Sequence, residues 1–231
     1  RNDLGGYLQS EITEEKLTNA LKTFNTIRGH LKRLYELKAE NPGIITGSDL
    51  YAVVKASMIM DRSHLLEVLP TVVNELEKKR ESAASFQGKR IILAGGVCTH
   101  PDIYRIIEEA GGVVVWDDFC TGTRYFDRSV MNDSDPITVI AERFMKRPVC
   151  PAKHAGIFTR GENLVKIVKE KDARGVVFVF LKFCDPHAFD YPYMKELLDR
   201  EGIPSMALDV EDQLPSESQL QTRFETFIEM L

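Results

Sequence analysis

The chain has 231 residues, of which 43% are hydrophobic and 28% charged, and its formal net charge is −5. This composition is ordinary for a globular protein with a packed core. The acidic balance argues against a dedicated nucleic-acid-binding or polybasic membrane surface. No stretch approaches the ~18 consecutive apolar residues that a membrane-spanning helix needs. We therefore expect neither a nucleic-acid partner nor a membrane.

The four cysteines are Cys98, Cys120, Cys150 and Cys184. Their spacing contains no C-x-x-C pair, which argues against a zinc ribbon or finger. Four thiols in a chain of this length are too few for a disulfide scaffold. We therefore predict a protein of the reducing cytoplasm, whose cysteines are either inert or ligands.

Residues 1–85 are predicted to form an all-helical segment. Apolar residues recurring at three- and four-residue steps are typical of amphipathic helices. Three helices are predicted, over residues 13–39, 48–60 and 63–80. Ser48 or Asp49 is expected to cap the second helix. Pro70 is expected to kink or divide the third.

Residues 86–231 are predicted to form an α/β domain, because strand and helix patterns alternate there. The predicted strands are 89–94, 113–116, 176–181 and 203–208, and the predicted helices are 102–110, 136–145, 162–171, 190–200 and a last one from Ser216 or Ser218. This alternation indicates a four-stranded parallel sheet with helices on both faces. We expect the flavodoxin-like order 2-1-3-4, which places the loop carrying Cys98 beside the loop carrying Cys184. The Cys120 loop should lie one strand away.

The segment from Val176 to His187 combines the pattern of a buried strand with a cysteine and a histidine at its end. Its first half is a continuous apolar run, typical of a strand buried on both faces. Since sites are built at the carboxyl ends of parallel strands, we expect Cys184 to lie at a functional site. As structure, Asp185-Pro186 would be a turn and Cys184 a small buried apolar group. As chemistry, Cys184 could be a metal ligand or a nucleophile with His187 as base, and the lack of an evident third group favours the ligand.

The glycine-rich loop Gly95-Gly96-Val97-Cys98 follows a predicted strand. It matches neither G-x-G-x-x-G nor a Walker A sequence, so we expect no nicotinamide cofactor. The glycines would let a ligand approach the backbone, and the helix N-terminus near Asp102 could hold an anion. A tight turn that happens to be rich in glycine explains the loop equally well.

Three stretches together resemble one family. Residues 117–126 (DDFCTGTRYF), 147–154 (RPVCPAKH) and 182–187 (KFCDPH) are similar, in this order, to the 2-hydroxyacyl-CoA dehydratase and benzoyl-CoA reductase superfamily. The likeness covers about residues 10–231, and the last stretch is the most specific. It is closest to the subunits of 2-hydroxyglutaryl-CoA and related dehydratases.

The resemblance implies a lyase. Members of this family are oxygen-sensitive heterodimers with [4Fe-4S] clusters, each held by three cysteines of one subunit. A separate ATP-hydrolysing iron–sulfur activator injects one electron, which reduces the thioester carbonyl of a 2-hydroxyacyl-CoA to a ketyl radical that expels the hydroxyl. The implied partners are therefore a second homologous subunit, the activator and an acyl-CoA substrate. In the related reductases, the electrons go to an aromatic thioester ring.

The resemblance implies that Cys184 corresponds to the most C-terminal of the three cysteines that bind the cluster in a family subunit. The other two ligands of a family subunit belong to a preceding α/β domain that this chain does not contain. We therefore expect the [4Fe-4S] cluster in a longer protein and not in this chain, which would be inactive alone. Cys150 lies in a family motif, but the second cysteine of that motif is replaced here by Ala152. We therefore do not predict Cys150 to be a cluster ligand.

Further residues are predicted to lie around the cluster or to contact substrate. They are His187, Cys98, Cys120, Arg124 and Lys153. His187 follows Cys184 closely and is a candidate to surround the cluster. Arg124, Lys153 and Arg160 are candidates for the phosphates of CoA, with solvated surface charge as the alternative for each.

Two other functions stay open at this point. One is a benzoyl-CoA-reductase-type subunit, which would share the cluster and the activator. The other is a scaffold subunit that holds no cluster and docks a catalytic partner.

Overall fold

The computed structural model describes residues 1–80, 86–129, 135–147, 150, 156–211 and 213–231. Its sheet contains β1 (Lys89–Gly95), β2 (Gly112–Asp118), β3 (Gly175–Leu181) and β4 (Ser205–Val210). All three strand pairs are parallel, and the order is β2-β1-β3-β4. The predicted α/β class and strand order are therefore confirmed.

Helices flank the sheet and form the segment before it. They are α1 (Asn2–Tyr7), α2 (Glu14–Glu40), α3 (Gly47–Ile59), α4 (Arg62–Lys79), α5 (Asp102–Glu109), α6 (Thr123–Phe126), α7 (Pro136–Lys146), α8 (Thr159–Glu170), α9 (Asp185–Arg200) and α10 (Glu217–Glu229). The predicted all-helical opening segment is confirmed. Within the described residues, no helix is both long enough and apolar enough to cross a membrane.

The predicted cap of α3 is wrong, and α4 is not divided at Pro70, so only the kink expected there stays a prediction. Thr46, not Ser48 or Asp49, caps α3, and its hydroxyl accepts the N–H of Asp49 at 3.0 Å. Pro70 lies inside α4, which is assigned as a single helix and is not divided there. Its neighbour Leu69 is 2% exposed, so packing of the apolar face offsets the hydrogen bond that proline cannot donate.

The start of α9 also differs from the prediction. The helix begins at Asp185, about five residues earlier than expected, with Cys184 at the N-cap position. Pro186 suits the first helical turn, because the N–H that it lacks would have no helical partner there. β4 begins at Ser205, two residues later than expected. Pro204 precedes it and contributes only its carbonyl, which accepts the N–H of Val176 at 3.0 Å.

β3 is buried on both faces, as its apolar run predicts. Val177 and Val179 pack in a cluster with residues of α5 and α10, such as Ile107 and Phe224. Phe178, on the opposite face, packs with residues of α8 and α9. Alternate side chains of a strand point to opposite faces. Two helical layers therefore cover the strand that leads to Cys184.

Buried polar contacts join the helical segment to the α/β domain. Lys38 of α2 is 1% exposed. Its ammonium donates to the carbonyls of Pro42 and Ile45 at 2.9 and 2.6 Å and to Oε1 of Glu108, in α5, at 2.9 Å. Glu108 also accepts the N–H of Gly47 at 2.9 Å. The predicted domain boundary falls on residues 81–85, which lie outside the described residues, and it stays a prediction.

We expect Lys38→Met to lower the free energy of unfolding by about 3 kcal/mol, because Glu108 and two carbonyls would lose a buried cationic donor. Urea denaturation followed by circular dichroism measures this change. Lys22→Met, on an exposed turn of the same helix, is the control and should change stability by less than about 0.5 kcal/mol. Equal effects of the two substitutions would show that the Lys38 contacts contribute nothing.

Candidate functional site at the carboxyl edge of the sheet

Cys184 stands between the end of β3 and the start of α9. Its N–H donates to the Leu181 carbonyl at 3.1 Å, and its own carbonyl accepts from His187 and Ala188 at 3.1 Å. The side chain is half-buried. The residue before it, Phe183, has a φ of +65° and is 90% exposed. A bulky residue in this conformation is strained, and such strain collects at functional sites.

His187 lies one helical turn after Cys184 and packs against the glycine-rich loop. It is buried, and its Nε2 lies 3.1 Å from where a Cβ on Gly96 would be. Burial, together with the charges of Arg160 and Arg124, lowers the pKa of His187 to about 3. The imidazole is therefore neutral at pH 7. Among the described residues, its Nδ1 has no hydrogen-bond partner.

Gly96 is the point where the segments that follow β1, β2 and β3 meet. Its carbonyl accepts the N–H of Cys120 at 2.8 Å, and its Cα faces the ring of His187. The loops after β1 and β2 and the first turn of α9, which follows β3, thus meet at one residue without a side chain. The expected proximity of the Cys98 and Cys184 loops, with Cys120 on the other side, is confirmed.

Cys98 points into the core. It is 1% exposed, and burial raises the pKa of its thiol to about 11. Its backbone N–H donates to the Thr121 hydroxyl at 3.0 Å, and its carbonyl accepts from Tyr51 at 3.2 Å. This geometry supports a packing role with the thiol protonated. A contact of Cys98 with cluster or substrate stays a prediction.

Arg124 forms a buried, two-pronged ion pair with Asp118 at the end of β2. Its Nε and Nη2 lie 2.6 and 2.5 Å from the two carboxylate oxygens. Its Nη1 also points at the Cys120 sulfur, 3.7 Å away. Burial alone would lower the pKa of Arg124, but Asp118 and, more weakly, the Cys120 and Cys150 thiols raise it overall. Arg124 is 3% exposed, so solvated surface charge is the wrong description.

Arg160 of α8 extends this ion network beneath the site. It lies 3.6 Å from Asp118 and 3.4 Å from Asp190 of α9, and it donates to the Gly95 carbonyl at 3.4 Å. The side chain is 2% exposed, so the surface-charge alternative is wrong here as well. One guanidinium thus connects the ends of β1 and β2 to the helix that begins just after Cys184. Its Nε has no partner among the described residues.

Asp117 anchors the same loop from the opposite side of β2. It accepts the Tyr35 hydroxyl at 2.5 Å and the N–H of Thr123 at 2.8 Å. Burial raises its pKa, against these hydrogen bonds. A Cβ on Gly122 would come within 2.1 Å of its carboxylate. Only glycine leaves room for this turn between Cys120 and Arg124.

The remaining predicted residues are placed as follows. Cys150 is half-buried, and it lies close enough to Arg124 to raise the pKa of that guanidinium. Lys153 and Ala152 belong to residues 151–155, which lie outside the described residues. Within the described ranges, no set of three or more His, Cys, Asp or Glu side chains could hold a metal ion. The described site therefore offers individual thiols and not a complete ligand set.

Asp118 and Asp190 are site residues that sequence reasoning missed. Asp118 ends an apolar strand, and Arg124 follows it six residues later. A carboxylate at such a strand end with an arginine nearby signals a buried ion pair, and this pattern could have indicated it. Asp190 carries no comparable signal, because only the fold brings it to Arg160.

The fold and the site together define a class of protein. It is an α/β protein with a parallel sheet of order β2-β1-β3-β4 and with cysteines on the loops after three strands. Over residues 1–231 the chain matches the family of the 2-hydroxyglutaryl-CoA dehydratase D-component. The chain belongs to this family.

Individual relatives agree with this assignment. The chain is 30% identical to the (R)-phenyllactyl-CoA dehydratase beta subunit of Clostridium sporogenes, over 96% of this chain and 59% of that protein. It is 27% identical to the beta subunit of (R)-2-hydroxyglutaryl-CoA dehydratase from Acidaminococcus fermentans, over 100% and 62%. It is 23% identical to one of the subunits of benzoyl-CoA reductase from Thauera aromatica, over 84% and 51%. The chain thus spans about three-fifths of the two dehydratase proteins and half of the reductase protein.

We expect Asp118→Asn to lower the free energy of unfolding by about 3–5 kcal/mol, because two buried guanidinium groups would lose their carboxylate. Chemical denaturation measures the loss. Asp102→Asn removes an exposed carboxylate that lies 3.7 Å from Arg105 and should cost less than about 0.5 kcal/mol. A loss below about 1 kcal/mol for Asp118→Asn would contradict the importance of the buried pair.

We expect His187 to make stability fall on acidification. Its folded pKa of about 3 lies below the ordinary value near 6.5, so the unfolded state binds the proton first. The stability is complete above about pH 6.5 and is lost progressively toward pH 3, by about 2 kcal/mol between pH 7 and pH 5. Denaturation at both pH values measures this. His187→Gln should abolish that part of the slope, whereas His64→Gln, at an exposed position, should keep it.

Proposed function

We propose that the chain forms part of a subunit of an iron–sulfur 2-hydroxyacyl-CoA dehydratase, in which Cys184 gives one thiolate to a [4Fe-4S] cluster. The observation that carries this proposal is the placement of Cys184. It is half-buried at the N-cap of α9, at the edge of the sheet where the loops after β1 and β2 also lie. Membership of the dehydratase family supports the same function.

The chemistry of this position fits a thiolate ligand. The N-terminus of a helix carries partial positive charge, which is a favourable place for a negatively charged metal–thiolate group. The described residues fit one ligand position and not a complete set, so the remaining ligands would lie outside them. A bound cluster would supply one-electron chemistry, through which water is eliminated from a 2-hydroxyacyl-CoA.

Other residues of the chain would shape the surroundings of this thiolate. The neutral ring of His187 fills the space over Gly96, so it adds no charge beside the ligand and keeps water out of the loop junction. Arg124 and Arg160 lie close enough to lower the pKa of His187. Charges near an iron–sulfur cluster shift its reduction potential, and here two guanidinium groups are opposed by the carboxylates of Asp118 and Asp190. We infer that the buried ion network helps to set the cluster's potential.

The proposed partners follow from the relatives. Several of them are named as beta subunits of dehydratases, which supports a second subunit as the partner of this chain. We further propose an ATP-dependent iron–sulfur activator as the electron donor, an acyl-CoA as the substrate and the cytoplasm as the compartment.

A benzoyl-CoA-reductase-type subunit is the second candidate, supported by the likeness to the benzoyl-CoA reductase of Thauera aromatica. A scaffold subunit without a cluster is the third. Among the described residues, no three His, Cys, Asp or Glu side chains could hold a metal ion together. A scaffold subunit without a cluster would have the same property.

We expect Cys184→Ser to remove about one [4Fe-4S] cluster from the protein, because a cluster that loses one of its thiolates to a weaker ligand is poorly held. The whole subunit of which this chain is proposed to be a part is purified anaerobically together with its partner subunit, and iron, acid-labile sulfide and the electron paramagnetic resonance signal are measured. Cys98→Ala is the control, since that thiol is protonated in the core, and it should keep the cluster. Unchanged iron in Cys184→Ser would overturn the ligand assignment and favour the scaffold.

Substrate assays separate the two enzymatic candidates. With activator and ATP, a dehydratase converts a 2-hydroxyacyl-CoA to the enoyl-CoA and leaves an aromatic acyl-CoA unchanged. Reduction of the aromatic thioester without dehydration would identify the reductase.

A further inference from the structure

A cavity of about 550 Å³ opens beside α2, next to α6 and α7. Its described lining includes Arg28, Lys32, Asp127, Arg128 and Lys146. Cavities of this size hold small ligands. Four cations and one carboxylate thus face a common space, in a chain whose formal net charge is −5.

The cationic groups of this cavity are weakly held by the protein. Lys32 is 66% exposed and lies 3.7 Å from Glu36. Lys146 is also exposed and lies 3.0 Å from Glu142. Arg128 is exposed and lies 3.5 Å from Asp127. Exposed pairs of this kind contribute little to stability, so a stronger anion in the cavity can recruit all three groups.

A smaller cavity of about 210 Å³ adds to the positive charge, and Arg28 lines both cavities. Arg143 and Arg147 line the smaller one. Burial and repulsion by Arg28 and Arg147 lower the pKa of Arg143 to about 10. Like charges held this close repel each other, and a bound anion offsets the repulsion.

The chain from Tyr125 to Arg128, which borders the cavity, is held in place by Arg143. Arg143 donates to the carbonyls of Tyr125, Asp127 and Arg128 at 3.3, 2.9 and 3.0 Å. These bonds tie α7 to the chain that leaves α6. This part of the cavity wall is therefore held by hydrogen bonds within the protein, which lowers the cost of ordering it on binding. Arg143 is a structural cation, whereas Lys32, Arg128 and Lys146 are available to a ligand; Arg28 already donates to the Asn25 side-chain oxygen at 2.9 Å.

We propose that this cavity binds the phosphate or diphosphate group of a small molecule. Arginine and lysine together bind phosphate oxygens through several charge-assisted hydrogen bonds. The excess of cations over Asp127 favours a multiply charged anion over a single carboxylate. The cysteines are not among its described lining residues, although Thr123 and Phe126 of the helix after Cys120 are.

Two sources of the phosphate groups are compatible with this chemistry. One is the diphosphate of a CoA thioester, and only this source rests on the proposed function. The other is a nucleotide that has no part in that function. An acidic segment of a partner protein is a different class of ligand, which a concave cavity of this size disfavours.

Calorimetric titration with inorganic diphosphate at low ionic strength tests the proposal on the full chain. We expect saturable binding that weakens as salt is added, because the pairs are solvent-accessible. Lys32→Gln and Lys146→Gln should each raise the dissociation constant about fivefold, the upper range for one exposed ion pair. The double variant should raise it about 25-fold if the two sites act independently.

Lys166→Gln/Lys169→Gln is the matched control. Lys166 is 69% exposed and lies 3.7 Å from Glu170 in α8, and Lys169 is exposed on the same helix. This variant removes the same net charge and should leave diphosphate binding unchanged. Absence of binding to the unaltered protein, or equal losses in both double variants, would overturn the proposal. Tighter binding of poly-glutamate than of diphosphate would also overturn it, in favour of a protein partner.

Competition identifies the source. Displacement of diphosphate by CoA but not by ADP indicates that the natural ligand is an acyl-CoA. Displacement by ADP but not by CoA indicates a nucleotide. Either result supports the site. The iron content of Cys184→Ser does not depend on this cavity. Failure of the anion site and failure of the cluster assignment are therefore separate results.

Discussion

The buried ion network of Asp118, Arg124 and Arg160 is the constraint on which the site depends. Both guanidinium groups are nearly inaccessible, and they share one carboxylate at the end of β2. Burying charges is costly unless each is paired, so none of the three can turn away without leaving the others uncompensated. Arg160 also reaches Gly95 and Asp190. The network therefore fixes the ends of two strands relative to the helix that begins just after Cys184.

This arrangement explains why the cysteine-bearing loops meet where they do. Arg124 holds the Cys120 loop, and the loop in turn donates a hydrogen bond to Gly96. Gly96 leaves the space that His187 occupies. Each loop is positioned by groups that belong to other elements, which is how a rigid scaffold presents reactive groups on loops. The opposite side of the same short helix, α6, carries the wall of the basic cavity, so two chemically different surfaces share one support.

Much of the fold could be predicted from the chain because its causes are local. The apolar run of β3 and the stripe of α2 each follow from the period of their own residues. Errors arose at the boundaries, where tertiary packing competes with local preference. Pro70 was expected to kink or divide its helix, and the buried face around it keeps α4 undivided. At the site, Cys184 and His187 were predicted to be important, whereas the arginines of the ion network were interpreted only as candidate phosphate contacts or surface charge.

The sequence by itself determined the class of fold, the strand order and the segment that ends in Cys184, since hydrophobic period and chain order carry that information. The family resemblance was likewise readable from short motifs, and membership was then shown across the whole chain. Only the tertiary structure decided the protonation of His187 and Cys98, the burial of Arg124 and Arg160, and the convergence of cations from α2 and α7. Those properties depend on desolvation and on charges that are distant along the chain. Residue identity alone specifies neither.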